Sequence, residues 1–258
     1  MDSLELIAQD LFYWRSQQLS LGGRPEDIDW LLDIAGGLPW SSLQSLYLYP
    51  SKTVVLKKSL NELTFIWKKH IRDKAPLQYL VGICPWRDFV LEVNSSVMIP
   101  RQETELLIEI ALRNLDNNQL IYWADLGTGS GAVAISLAKE FSSSIGYAVD
   151  KSKDALLLAS SNLKKILPYA NVSFHLGSWW EPIKPYWGDL NLVIANPPYI
   201  PFDLIAGLEP EVRNYEPHLA LCGGHDGLDE IKQILKGSIL GLAPNGLLII
   251  EHHHDQSD

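Results

Sequence analysis

Asp125-Leu-Gly-Thr-Gly-Ser-Gly131 is the stretch that decides the fold. It follows the apolar run Leu120–Leu126 and opens into Gly131–Phe141, whose apolar residues keep helical spacing. Glycines between a strand and a helix allow a tight turn and let backbone N–H groups approach a ligand. In such units an acidic residue about 20 positions on, ending the next strand, can hold a ribose diol. Asp150 stands there, closing Gly146-Tyr-Ala-Val-Asp150, and its two oxygens suit two adjacent hydroxyls. Loop and acid together indicate a nucleoside cofactor without naming it. Gly127, Gly129 and Ala132 also fit the looser dinucleotide fingerprint, so NAD stays open at this point.

Outward from the loop, strand and helix patterns alternate. Strands are predicted at Leu120–Leu126, Ile145–Asp150, Val172–Leu176, Leu190–Ala195 and Gly246–Glu251. Helices are predicted at Gly131–Phe141, Ser152–Ile166 and Leu228–Leu242. The pattern specifies an α/β fold, a parallel Rossmann-like sheet with helices on both faces, which binds ligands at the carboxyl ends of its strands. Before it, Leu4, Ile7, Ala8, Leu11, Phe12 and Arg15 follow helical spacing, as do Ile28, Leu31, Leu32 and Ala35 after Pro25. Ser51–Arg72 reads as a further helix with Leu56, Leu60, Leu63 and Trp67 on one side. Phe89, Leu91 and Val93 alternate with polar neighbours, and Val97-Met-Ile99 follows the polar Asn94-Ser-Ser96, which reads as a hairpin. A helix is predicted at Glu103–Leu115. The expected organisation is a small helical bundle over residues 1–82, a β-hairpin linker over 83–100 and a catalytic α/β domain over 101–258.

Composition sets limits. At 47% hydrophobic and 20% charged, the 258 residues suit a globular protein. No apolar run is long enough for a membrane span. Met1–Asp10, with Asp2, Glu5 and Asp10, lacks the layout of a secretory signal. The two cysteines, Cys84 and Cys222, match no metal or redox spacing, so the expected compartment is the cytoplasm and no metal is expected. The net charge of −10 lies wholly after residue 85, and an acidic main body argues against stable nucleic-acid binding. Lys52–Lys74 is locally basic, which reads either as a solvated helix face or as a patch for an acidic partner.

The fourth predicted strand runs into Asn196-Pro-Pro-Tyr199. Two prolines make a rigid loop beside the cofactor. An amide or exocyclic amino nitrogen is a poor nucleophile because its lone pair is delocalised. The Asn196 side-chain carbonyl and the Pro197 backbone carbonyl can grip its two N–H bonds and aim it at a methyl group, while Tyr199 offers a flat face to a flat substrate. With a sulfonium leaving group, positioning supplies most of the acceleration, and no general base stands out.

The glycine loop, Asp150 and Asn-Pro-Pro-Tyr, in this order, resemble the class-I methyltransferases of planar nitrogens. Pro76-Leu-Gln-Tyr-Leu-Val-Gly82, Ile99-Pro-Arg-Gln-Glu-Thr-Glu105, Arg213-Asn-Tyr-Glu-Pro217 and Gly223-Gly-His-Asp-Gly-Leu228 narrow the resemblance to the release factor glutamine methyltransferases. It runs from about Pro76 to the chain end. It implies S-adenosyl-L-methionine as methyl donor, S-adenosyl-L-homocysteine as product, and as substrate the glutamine of the Gly-Gly-Gln motif in class-one peptide chain release factors. The helical domain would help hold the release factor, and the protein would act as a monomer. Gly127, Thr128, Gly129, Ser130, Gly131, Asp150, Trp179 and Asn196 would contact the donor, and Asn196, Pro197, Pro198 and Tyr199 the substrate, with Asn196, Pro197 and Tyr199 catalytic. Two departures stand out. Ser178 precedes Trp179 where the family commonly has an acidic residue. The chain also stops at Asp258, so the sheet is expected to lack a final antiparallel hairpin. An N6-adenine DNA or N2-guanine rRNA methyltransferase, an NAD-dependent oxidoreductase and a release-factor binding module without catalysis are the alternatives. The acidic body argues against the nucleic-acid enzymes, and the oxidoreductase leaves Asn-Pro-Pro-Tyr without a purpose.

Overall fold

The computed structural model describes residues 4–257. Asp2 and the other residues before Leu4, which enter the reading of the amino terminus, lie outside the described residues, as does Asp258. The chain divides into two units, Met1–Gly82 and Ile83–Asp258.

Among the described residues the first unit carries five helices: α1 (Ala8–Leu19), α2 (Pro25–Ile34), α3 (Trp40–Leu46), α4 (Leu60–Asp73) and α5 (Leu77–Val81). Their core gathers Leu11, Leu31, Leu43, Leu63 and Trp67. Trp67 donates its indole N–H to the Gln18 carbonyl at 3.0 Å, so its one polar atom is satisfied inside the core. Two segments read as helical form an antiparallel ribbon instead, β1 (Leu4–Ile7) with β2 (Thr53–Leu56). Thr53-Val-Val55 is β-branched and alternates, with Val54 and Leu56 buried and Val55 exposed. The helix expected from Ser51 starts only at Leu60, where Ser59 and Glu62 close a reciprocal capping box.

The second unit opens with a hairpin of β3 (Ile83–Trp86) and β4 (Phe89–Glu92). This corrects the predicted register. The chain turns at Arg87-Asp88, with Arg87 at φ 48°, as a two-residue hairpin loop requires. The Asn94 side chain accepts from the Ser96 N–H at 2.9 Å, a local bend that leads no strand back onto β4. The hairpin is tied into the second unit: Trp86 donates to Ser136 at 2.9 Å, and Glu92 exchanges two bonds with the Asn162 amide.

After a 3-10 turn, Gln102–Thr104, come α6 (Glu105–Asn114), β5 (Tyr122–Leu126), α7 (Ala132–Glu140), β6 (Ile145–Asp150), α8 (Lys153–Ile166), β7 (Val172–Leu176), β8 (Leu190–Ala195), α9 (Pro210–Tyr215), α10 (Asp229–Gly241) and β9 (Leu242–Ile250). The sheet is parallel throughout, in the order β7-β6-β5-β8-β9. The order reverses between β5 and β8, and that switch point is where such sheets bind ligands. β9 begins four residues earlier than its apolar run because Leu242 already pairs with Leu190. Among the described residues no helix is long and apolar enough to cross a membrane.

Gly237 and Gly241 stand one turn apart on α10, against the buried indole of Trp180. A Cβ at either would lie 2.1 Å from the Trp180 ring. Helix propensity alone favours alanine over glycine by about 1 kcal/mol. Overpacking a rigid ring costs about 1–3 kcal/mol and outweighs it. Gly241→Ala is therefore expected to lower the unfolding free energy in urea by up to about 2 kcal/mol; a more stable variant would show that Trp180 has room to yield.

Candidate active site

The loop after β5 wraps back onto β6. Gly127 and Thr128 both donate their N–H groups to the Val149 carbonyl at 2.9 Å. Gly127, at φ 82°, faces the Trp179 ring: an added Cβ would sit 3.2 Å from it. Glycine here serves both the turn and the close approach. Asp150, at the end of β6, accepts from the Gly129 N–H at 2.9 Å through one oxygen and from the Ser152 N–H at 2.8 Å through the other. Each oxygen keeps a lone pair, so the carboxylate is aimed by the loop and still able to accept two hydroxyls. Burial pushes its pKa up, opposed by these backbone bonds.

Beneath the loop lies Asp125, fully buried. One of its oxygens accepts from the Thr128 hydroxyl at 2.6 Å and the Ala134 N–H at 3.1 Å, joining β5, the loop and α7. Burial pushes this carboxyl up to about 7, against those two bonds.

Of the tryptophans in Gly177-Ser-Trp-Trp-Glu181, Trp180 enters the core and Trp179 turns to the cavity. Trp179 is held in a left-handed conformation, φ 46°, and donates its indole N–H to Glu230 of α10 at 2.5 Å.

The loop after β8 forms the facing wall. Asn196 donates from its side-chain nitrogen to the Thr104 hydroxyl at 3.0 Å. Thr104 donates to Glu251, just past β9, at 2.7 Å. The other Glu251 oxygen accepts the Tyr199 hydroxyl at 3.3 Å. Burial, then the neighbouring Glu251 charge, raises the Tyr199 pKa and keeps the phenol protonated. Gly223 packs beneath the loop, where an added Cβ would lie 2.6 Å from the Pro198 carbonyl oxygen. Arg101 forms an ion pair with the buried Glu216, tying the segment before α6 to the one after α9.

One cavity collects most of the predicted residues: Gly127, Thr128, Gly129, Ser130, Asp150, Trp179, Asn196 and Pro198 all line it. Gly131, Pro197 and Tyr199 do not. Gly131 instead lets α7 approach α8, with an added Cβ only 3.1 Å from that of Ala159. The sequence reading singled out neither Thr104, Asp125, Glu230 nor Glu251 for the site. Glu251 carries the same signal as Asp150, a carboxylate ending an apolar strand. Thr104 carries only its place in Ile99-Pro-Arg-Gln-Glu-Thr-Glu105, one of the segments behind the family resemblance. Among the described residues no group of three or more His, Cys, Asp or Glu side chains is placed to hold a metal.

A family model described as "Methyltransferase small domain" matches residues 102–202. A release factor glutamine methyltransferase of Prochlorococcus marinus is 54% identical over 253 residues, covering 97% of this chain and 86% of that protein. The protein of that name from Synechocystis is 37% identical over 245 residues, covering 92% of this chain and 80% of its own length. That of Thermosynechococcus vestitus is 44% identical over 197 residues, covering 76% and 68% respectively.

Proposed function

This chain belongs to the release factor glutamine methyltransferases, and we propose on that footing that it transfers a methyl group from S-adenosyl-L-methionine to the side-chain amide nitrogen of the glutamine in the Gly-Gly-Gln motif of class-one peptide chain release factors. The observation that carries the reading is the shared cavity at the switch point, into which the glycine loop after β5 and Asn196 after β8 both open.

The cavity fits the donor. Asp150 offers two acceptors at the spacing of a ribose diol, and the turn at Gly127 leaves backbone rather than side chain against the ligand. Trp179 presents a ring beside that turn, held by Glu230, which suits stacking on a flat base. With an acid absent at Ser178, Glu230 supplies a carboxylate on the same wall. When bound, S-adenosylmethionine supplies a methyl group on a positively charged sulfur and departs as S-adenosylhomocysteine.

The protein's own residues orient the acceptor. Asn196 gives its nitrogen to Thr104, which leaves its carbonyl oxygen to accept one N–H of the substrate amide. In this reading the Pro197 carbonyl accepts the other N–H, and the rigid Pro197-Pro198 backbone holds both at fixed spacing. So gripped, the amide nitrogen presents its face to the methyl carbon. The nitrogen lone pair forms the new N–C bond, the C–S bond electrons return to sulfur, and the surplus proton passes to water. An amide nitrogen protonated in this way is acidic enough to need no side-chain base. Residues 1–82, with no net charge beside an acidic body, are the unit proposed to hold the release factor. A translation factor as substrate places the reaction in the cytoplasm.

The test is mass spectrometry of a release factor incubated with this chain and isotope-labelled S-adenosylmethionine. One labelled methyl on the glutamine of Gly-Gly-Gln is expected. Label in added nucleic acid and none in the release factor would replace this reading with the nucleic-acid one.

A further inference from the structure

We propose that Thr104 and Glu251 are positioning residues that decide which way round the Asn196 amide stands. The inference rests on the reading that Asn196 grips the substrate amide. A side-chain amide is nearly symmetric in shape, and only its hydrogen-bond partners distinguish the oxygen end from the nitrogen end. Asn196 can accept a substrate N–H in only one of its two orientations.

The chain of donors leaves a single solution. Glu251 as a carboxylate has no proton to give, so the Thr104 hydroxyl hydrogen points to it along the 2.7 Å bond. The Thr104 oxygen then faces Asn196 with lone pairs only, at 3.0 Å. The Asn196 nitrogen satisfies that oxygen; the reversed amide would set two oxygens against each other with no hydrogen between them. Thr104 is buried, so water does not replace it. Glu251 is itself placed by backbone, its N–H donating to the Ala195 carbonyl at 3.0 Å, one residue before Asn196. Its second oxygen takes the Tyr199 hydroxyl, and Gln256 donates to the Tyr199 carbonyl at 3.1 Å. One carboxylate therefore pins both ends of Asn196-Pro-Pro-Tyr199, and the aim of the loop is set from outside it.

The test uses Thr104→Val, Thr104→Ser and Asn196→Ala in the full chain, with single-turnover methylation of a release factor at saturating donor and calorimetric donor affinity as readouts. Valine keeps the shape of threonine and removes only the hydroxyl. Thr104→Val is expected to slow methyl transfer by roughly 10–100-fold, the range usual for removing a group that orients a site residue. Donor affinity is expected to stay unchanged, Thr104→Ser to restore the rate, and Thr104→Val to cost nothing further in an Asn196→Ala background. A merely structural role would make the two changes additive and would lower donor affinity as well. If Thr104→Val does not fold, Glu251→Leu carries the same expectation, because it frees the Thr104 hydroxyl to turn toward Asn196. Wild-type rates in Thr104→Val or Glu251→Leu, with Asn196→Ala inactive, would overturn the inference and leave the role of Asn196 standing. A wild-type rate in Asn196→Ala would remove the reading beneath it.

Discussion

Asn196→Ala is expected to slow methyl transfer by roughly 10²–10³-fold, the cost typical of deleting one preorganised hydrogen-bonding group from a reaction centre. The size follows from the substrate. An amide nitrogen spends its lone pair on its own carbonyl, so it reacts only when the nitrogen face is held on the methyl carbon, and misplacement by about 1 Å already costs around 100-fold. Alanine removes the acceptor and leaves the Thr104 hydroxyl without its partner on that side. Donor affinity is expected to fall far less than the rate, because Asp150, Trp179 and the glycine loop remain. Release-factor binding is expected to persist. Single-turnover rates beside calorimetry for donor and partner separate these quantities. Equal losses in donor affinity and in rate would assign Asn196 to donor binding rather than to the acceptor.

Asp125→Asn is expected to leave stability at and below about pH 4 little changed and to raise it by up to about 4 kcal/mol, relative to wild type, by pH 8. Burial holds the folded-state pKa of Asp125 at about 7, whereas a carboxyl in the unfolded chain titrates near 3.9. Between those values the folded protein keeps a proton that the unfolded chain has released. The stabilisation is fully present below about pH 4 and is lost as pH rises through about 7. Asparagine is neutral throughout, and its carbonyl oxygen can still accept from the Thr128 hydroxyl and the Ala134 N–H. Other titrating groups are common to both proteins, so the difference between them isolates this one. Urea denaturation of both at pH 4 and pH 8 gives the answer; parallel pH profiles would assign the raised pKa elsewhere.

Much of the second unit was legible in its sequence. β6 and β8 coincide with their apolar runs because a strand covered on both faces has no polar side to blur its limits, and the edge strand β7 coincides with its predicted range as well. The glycine loop and Asp150 were legible from spacing alone, and they lie on one cavity wall. Where spacing is ambiguous, the structure departs from what it suggests. Leu4–Ile7 is four residues long, fits either period, and is a strand only because Thr53–Leu56 lies beside it. Asn94-Ser95-Ser96 has the composition of a hairpin turn, yet the strands pair around Arg87-Asp88. The bond between Thr104 and Glu251 was illegible for a different reason. It joins positions 147 apart, and no local pattern encodes a partner at that distance.

That separation orders the events of the enzyme's own synthesis. The glycine loop, Asp150 and Trp179 all precede residue 180 in the chain. The groups proposed to aim Asn196 are assembled only when Glu251, just past β9, reaches Thr104 near the start of the unit. Closing so long a loop carries an entropic cost that only the finished sheet repays. On the proposed reading, most residues that contact the donor are thus synthesised before the groups that direct the acceptor.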